Sequence, residues 1–304
     1  MNIVITGVSG FVGKHLVREL SAAGHAVIGI GMEEVAHPEI ADLLTEYVSC
    51  DLAEAWPKIA TPVDSIIHLA GLAAVGPSFE KPQAYINLNS AMVTNMAEAY
   101  LHEEKKPRLV IISSGAIYDS NQPMPLTEAS TISFSSPYTV SKVLLENQAA
   151  YYRTQGLECI IMRPFNHIGP GQLPGFLVPD LIEKICTAEN TSSLIKVGDL
   201  STKRDYTDVR DVVKAYALVA TAPETPHEVY NVCSGKSLSG EEVLITIQKA
   251  MDAEQVATET DPSLIRPNDA ADIRGDNSRL TADFNWRPVI SFRQTIQDIL
   301  KEDK

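Results

Sequence analysis

The sequence predicts an α/β protein built on a doubly wound parallel sheet, with a smaller lobe toward the C-terminus. Three observations carry this. Short apolar runs alternate with longer segments of helical period through the first half of the chain. The runs are apolar at nearly every position, as strands covered on both faces are. A glycine-rich turn joins the first run to the first helical segment.

The elements follow in order. Ile3-Val4-Ile5 reads as the first strand, and Phe11, Leu16, Val17 and Leu20 recur at helical spacing after it. Ala26-Val27-Ile28 and Ser65-Ile66-Ile67 are the next strands. Met92, Met96 and Ala99 mark a helix, and Leu109-Val110-Ile111-Ile112 a further strand. Ser136 is a good N-cap and Pro137 a good first helical residue, so a helix starts there. Cys159-Ile160-Ile161-Met162 closes the series. After Arg163-Pro164 the pattern loosens, and Gly and Pro crowd residues 169–175. Residues 1–165 therefore read as one domain. Residues 166–304 read mainly as a second lobe, with segments near 203–233 returning to the first.

A chain of 304 residues, 44% hydrophobic and 21% charged, can build such a core. A net charge of -14 repels nucleic acid, so no DNA or RNA partner is expected. No apolar run reaches bilayer length, so no membrane partner is expected either. The start, Met1 to Thr6, reads as a strand with no basic leader, and Cys50, Cys159, Cys186 and Cys233 stand apart without metal-ligand spacing. The expectation is a cytoplasmic protein with free thiols and no metal.

Gly7-Val8-Ser9-Gly10-Phe11-Val12-Gly13 follows the first strand directly and opens a helix. Phosphates can approach a backbone bare of side chains, and the helix N-terminus offers free N–H groups and a positive dipole end. Gly7, Gly10, Phe11, Val12 and Gly13 are thus candidates for holding a dinucleotide; the alternative is a tight turn without ligand. The acid that usually grips the adenosine ribose at the end of the second strand is missing: Gly31 and Met32 stand there, then Glu33 and Glu34. No arginine stands there for a 2′-phosphate, although Lys14 and His37 are close in sequence. NAD(H) and NADP(H) both remain open as cofactor.

Tyr138 and Lys142 are four apart and share one helix face. A phenol ionises near pH 10, and a nearby ammonium is expected to favour the phenolate and bring it toward useful acid/base strength. Upstream, Ile111-Ile112-Ser113-Ser114 is a buried strand ending in hydroxyls, where ligands of wound sheets sit. Ser114 can hydrogen-bond a carbonyl oxygen that Tyr138 protonates. Taken singly, these residues equally suit strand-end capping and an ordinary helix surface.

Gly7/Gly10/Gly13, Cys50-Asp51-Leu52, His68-Leu69-Ala70-Gly71, Ser113-Ser114, Tyr138/Lys142 and Arg163-Pro164-Phe165-Asn166 occur in the order seen in extended short-chain dehydrogenase/reductases. The chain resembles that family down to Phe284-Asn285-Trp286-Arg287-Pro288. The resemblance implies a Rossmann-type sheet and the following roles. Asp51 and Leu52 border the adenine, and Leu69, Ala70 and Gly71 line the cofactor cleft. Asn89 supports the lysine through water, and Ser114, Tyr138 and Lys142 are catalytic. Arg163 joins Tyr138 and Lys142 at the cofactor, and Asn166 and Val178 contact the substrate. Helices around 89–100 and 138–151 form a four-helix homodimer interface.

Within the family, Arg204-Asp205-Tyr206-Thr207-Asp208 and Arg266-Pro267-Asn268-Asp269 are similar to segments whose arginines clamp a substrate diphosphate. Arginine suits that task because its fork pairs two phosphate oxygens at once; surface salt bridges are the alternative. Arg163 to Gln172, Ile195 to Asp199 and Val229 to Gly235 resemble the GDP-4-dehydro-6-deoxy-D-mannose reductases, which pass a hydride from NAD(P)H to a 4-keto carbon and yield GDP-D-rhamnose. The Asp-Glu pair of sugar 4,6-dehydratases is replaced by Gly115-Ala116. The Cys and His of GDP-fucose synthases are replaced by Ala116 and Phe176. The expected substrate is a nucleotide-linked 4-dehydro-6-deoxyhexose. A nucleotide-sugar 4-epimerase and a non-catalytic cofactor-sensing module are the competing readings.

Overall fold

The structure is a computed structural model that describes residues 1–191, 194–265 and 270–302. Its first half runs β1 (Asn2–Thr6), α1 (Phe11–Ala22), β2 (Ala26–Gly31), α2 (Pro38–Ala41), β3 (Glu46–Ser49), β4 (Ser65–His68), α3 (Val75–Glu80), α4 (Pro82–Leu101), β5 (Arg108–Ile112), α5 (Pro137–Thr154) and β6 (Cys159–Pro164). The second half runs β7 (Asn166–Ile168), α6 (Leu177–Thr191), β8 (Ile195–Val197), β9 (Lys203–Asp208), α7 (Val209–Thr221), β10 (Val229–Val232), β11 (Ser237–Ser239), α8 (Gly240–Ala250), β12 (Thr258–Thr260), β13 (Asp272–Ile273), α9 (Ser278–Phe284) and α10 (Phe292–Glu302).

Seven parallel strands form the large sheet in the order β10-β6-β5-β4-β1-β2-β3. Every residue of β4 and β6 is buried, which explains why the apolar runs do not alternate. One face packs on α1 and α7 through Leu16, Val17, Leu20, Val212 and Val219; the other packs on α4 and α5 through Val93, Met96, Leu145 and Ala149. Each fully buried side chain of this size stabilises the fold by about 1.5–3 kcal/mol. The chain reverses its winding between β1 and β4, so the cleft opens at the carboxyl ends of those two strands.

The sequence places the returning segment near 203–233, and the structure moves its start. β9 belongs to the smaller sheet with β11, β13 and β7; the large sheet regains the chain at α7 and β10. A later stretch returns as well. Trp286 donates its indole N–H to Asp211 O at 3.0 Å, and the Asp211 carboxylate accepts the N–H groups of Val289 and Ile290. The second lobe has its own core, built on α6, α8 and α10 around Ile185, Val243, Ile247 and Ile296. Among the described residues no helix is long and apolar enough to cross a membrane.

Candidate active site

The glycine turn takes its shape from contacts that a side chain would prevent. Gly7 has φ +64°, and a Cβ there would lie 2.9 Å from Ala70 N. A Cβ on Gly13 would lie 2.5 Å from both Gly7 O and Val8 O. The first turn of α1 therefore presses on the turn itself, and its N-terminal N–H groups open at Gly10, which is exposed. Phe11 and Val12 are half-buried beside it, with Phe11 stacked on His167 at 6.2 Å. This bare concave backbone at a helix start fits a dinucleotide pyrophosphate. Gly7, Gly10, Phe11, Val12 and Gly13 would hold it there.

The opposite wall of the cleft is the loop after β4. Thr6 Oγ1 lies 2.9 Å from His68 Nδ1 and accepts the Ala70 N–H at 3.1 Å, which fixes half-buried Leu69 and Ala70 and exposed Gly71. His68 is held down to about 3 by burial first and by Lys142 second, so it is neutral. Asn89 Oδ1 accepts the Leu72 N–H at 2.8 Å, and its amide donates to Ser141 Oγ at 3.1 Å. Asn89 thus ties this loop to α5. It makes no direct hydrogen bond to Lys142 in the described contacts. Asp51 is exposed and caps its own turn by accepting the Ala53 N–H. Leu52, expected to border the adenine, has its side chain in the core, and its carbonyl accepts from the Asn95 amide at 2.9 Å.

The reacting groups converge from β5 and α5. Ser136 and Thr139 form a capping box at the start of α5, and this sets Tyr138 and Lys142 toward the sheet. Both are buried. Lys142 Nζ donates to Ile112 O at 2.9 Å and stands 5.8 Å from the Tyr138 ring centre. Ser114 Oγ accepts the Ala116 N–H at 3.1 Å, at the end of β5. Burial pushes the Tyr138 phenol above its ordinary value, and the nearby Ser114 hydroxyl pulls only partly against this. Desolvation thus opposes the expected drive toward the phenolate, because burial penalises the anion. A neutral phenol is the form that can donate a proton. Lys142 is lowered to about 8 by burial, with Glu146 acting in the other direction.

Glu146 is absent from the sequence reading. It lies one turn beyond Lys142, accepts from Ser113 Oγ at 2.6 Å, and pairs with Arg163 through both carboxylate oxygens at 2.9 and 2.6 Å. The four-residue repeat Tyr138, Lys142, Glu146 is its signal. Arg163, expected at the cofactor, is committed to Glu146, the Tyr118 hydroxyl and Glu128 O. Its guanidinium braces β6 against α5 from within.

On the substrate side, the Phe165 ring packs over Gly115, where a Cβ would lie 2.8 Å from it. The exposed Asn166 follows at that edge, and β7 pairs it with Tyr206 of β9. Arg204, two residues earlier on β9, donates to Ala270 O at 2.8 Å. Val178 is not at an open surface: it is 1% exposed within the second lobe's core. Arg266 lies outside the described residues.

The sequence pattern of the NAD dependent epimerase/dehydratase family matches residues 3–233. The chain belongs to that family. It is 32% identical to the GDP-6-deoxy-D-mannose reductase of Pseudomonas aeruginosa over 99% of this chain and 96% of that protein. It is 29% identical to the UDP-glucose 4-epimerase of Mycolicibacterium smegmatis, over 97% and 96%. Among solved structures, it is similar to RMD from Pseudomonas aeruginosa complexed with NADPH, with TM-score 0.82, 29% identity and coverage of 99% and 98%. A putative epimerase from Burkholderia cenocepacia matches with TM-score 0.87 and 26% identity, over 100% and 98%. The enzyme is NAD(P)-dependent and carries the Rossmann-type sheet of the extended short-chain dehydrogenase/reductases.

Proposed function

We propose that the enzyme reduces the 4-keto group of a nucleotide-linked 4-dehydro-6-deoxyhexose, converting GDP-4-dehydro-6-deoxy-D-mannose to GDP-D-rhamnose in the cytoplasm. The observation that carries this reading is the neutral, buried Tyr138 beside Ser114 and Lys142, followed by Gly115-Ala116 with no acid or base to eliminate water. The full-length likeness to a GDP-6-deoxy-D-mannose reductase supports the sugar. Reduced nicotinamide, when bound, supplies the hydride that C4 receives. The chain supplies the rest. Tyr138 Oη gives its proton to the C4 oxygen, which becomes a hydroxyl, and Ser114 Oγ donates a hydrogen bond to that oxygen. The Lys142 ammonium stabilises the phenolate left behind. The test is NMR identification of products from nucleotide-linked 4-keto sugars with NADH and NADPH.

A 4-epimerase uses the same three residues, and the 29% identity to a UDP-glucose 4-epimerase favours it as the second reading. NAD retained through purification, with interconversion of UDP-hexoses, would select it.

Arg204 of β9 grips the substrate diphosphate, and Asn166, paired with Tyr206 two residues on, contacts the substrate. Arg204→Ala is expected to raise KM for the nucleotide sugar by about tenfold or more and to leave NAD(P)H affinity within about twofold. Calorimetry showing the reverse would remove Arg204 from the substrate site.

The pH dependence follows from Lys142. Its ammonium is present below about 8 and is lost as pH rises through that value. We expect kcat/KM to fall above pH 8, and Lys142→Arg to move that limb upward because guanidinium keeps its charge. A profile flat to pH 10 would mean the ammonium has no part in the reaction.

The enzyme acts as a homodimer through α4 and α5. The two helices pack on each other, and each carries an exposed apolar side chain, Leu88 and Tyr151. Light scattering would test this.

A further inference from the structure

The end of β2 lacks the acid that holds an adenosine ribose, and another residue occupies the place. A Cβ on Gly31 would lie 2.7 Å from Glu33 Oε2 and 2.6 Å from Tyr47 Oη. The Glu33 carboxylate therefore turns back into the room that glycine leaves free at the strand end. Tyr47 fixes it there: its hydroxyl donates to Glu33 O at 2.8 Å and lies 3.4 Å from the carboxylate.

The cations around this loop are directed elsewhere. Lys14 Nζ and Arg18 on α1 bind the two oxygens of Glu39 at 2.9 and 2.5 Å, and His37 Nδ1 lies 3.7 Å from the same carboxylate. Met32, at the loop's start, is 75% exposed and carries no charge. A 2′-phosphate entering here meets a carboxylate first, and Lys14 and Arg18 are both already paired with Glu39.

We propose that Glu33 selects the unphosphorylated cofactor, accepting the ribose hydroxyls of NAD(H) and repelling the 2′-phosphate of NADP(H), while Glu39 keeps Lys14 and Arg18 from that phosphate. The proposal rests on the dinucleotide reading of the glycine turn and is independent of which sugar is reduced. It sets this chain apart from the similar structure complexed with NADPH.

Nicotinamide fluorescence titrations of the full chain, without sugar, test it. Wild type is expected to bind NADH about tenfold more tightly than NADPH. Glu33→Gln is expected to narrow the ratio to about threefold or less, chiefly by tightening NADPH. Glu39→Gln, which releases the two cations, is expected to tighten NADPH by about threefold or more and to leave NADH within about twofold. Both glutamates are exposed, and unchanged melting temperatures would verify folding. Equal or tighter binding of NADPH by wild type, or an unchanged ratio in Glu33→Gln, overturns the proposal. Binding of neither cofactor overturns it together with the dinucleotide reading.

Discussion

Tyr138→Phe is expected to lower kcat by about 100-fold or more, the scale of lost general-acid catalysis, with substrate KM nearly unchanged. The substitution removes one oxygen and preserves the rest of the site. The ring keeps its edge contact with Tyr85, at 6.4 Å and 82° between planes, and Lys142 keeps its hydrogen bond to Ile112 O. Any loss of rate then reports the proton and not the packing. Stopped-flow reduction with keto sugar would read the chemical step directly. Turnover within a few-fold of wild type would show that the proton comes from elsewhere.

Gly13→Ala is expected to weaken cofactor binding by about tenfold or more and to cost roughly 2–4 kcal/mol of stability, as overpacking against fixed backbone does. The added Cβ would stand 2.5 Å from two carbonyl oxygens of the glycine turn. Those atoms cannot swing aside as a side chain can, so the turn itself must shift. Gly24→Ala is the control. Its φ of +80° makes alanine strained, but nothing lies within 4 Å. It should cost about 1 kcal/mol and leave cofactor affinity unchanged. Urea melts and NADH titrations on the two variants separate backbone strain from damage to the site. Equal cofactor affinity in both would mean the turn tolerates a side chain.

What the sequence made legible was whatever sits at a local rule. The buried strands at Ile3-Val4-Ile5, Ser65-Ile66-Ile67 and Cys159 to Met162 lie where apolar runs place them. Ser136 caps α5 and Pro137 opens it, as their types require. What stayed hidden depends on partners far along the chain. β3 is half-exposed, so Glu46-Tyr47-Val48-Ser49 carries no apolar run. Arg163 reads as a cofactor residue until Glu146, Tyr118 and Glu128 are seen around its guanidinium. Val178 reads as a substrate contact until α6 turns it inward. The absent acid near Gly31 is a fact of sequence. The carboxylate that folds back into its place from Glu33 is a fact of the loop's path.

The return of β10 to the edge of the large sheet also bears on how the chain is made. β6 ends at Pro164 and its neighbour β10 ends at Val232. A ribosome needs on the order of several seconds to synthesise the roughly 70 residues between them. Through that interval the nascent sheet presents β6 as an open edge, with a row of backbone groups ready to pair with another chain. The same exposure would be permanent in a fragment that stops at 165. Such a fragment should be aggregation-prone, however complete its glycine turn and its Tyr138/Lys142 pair.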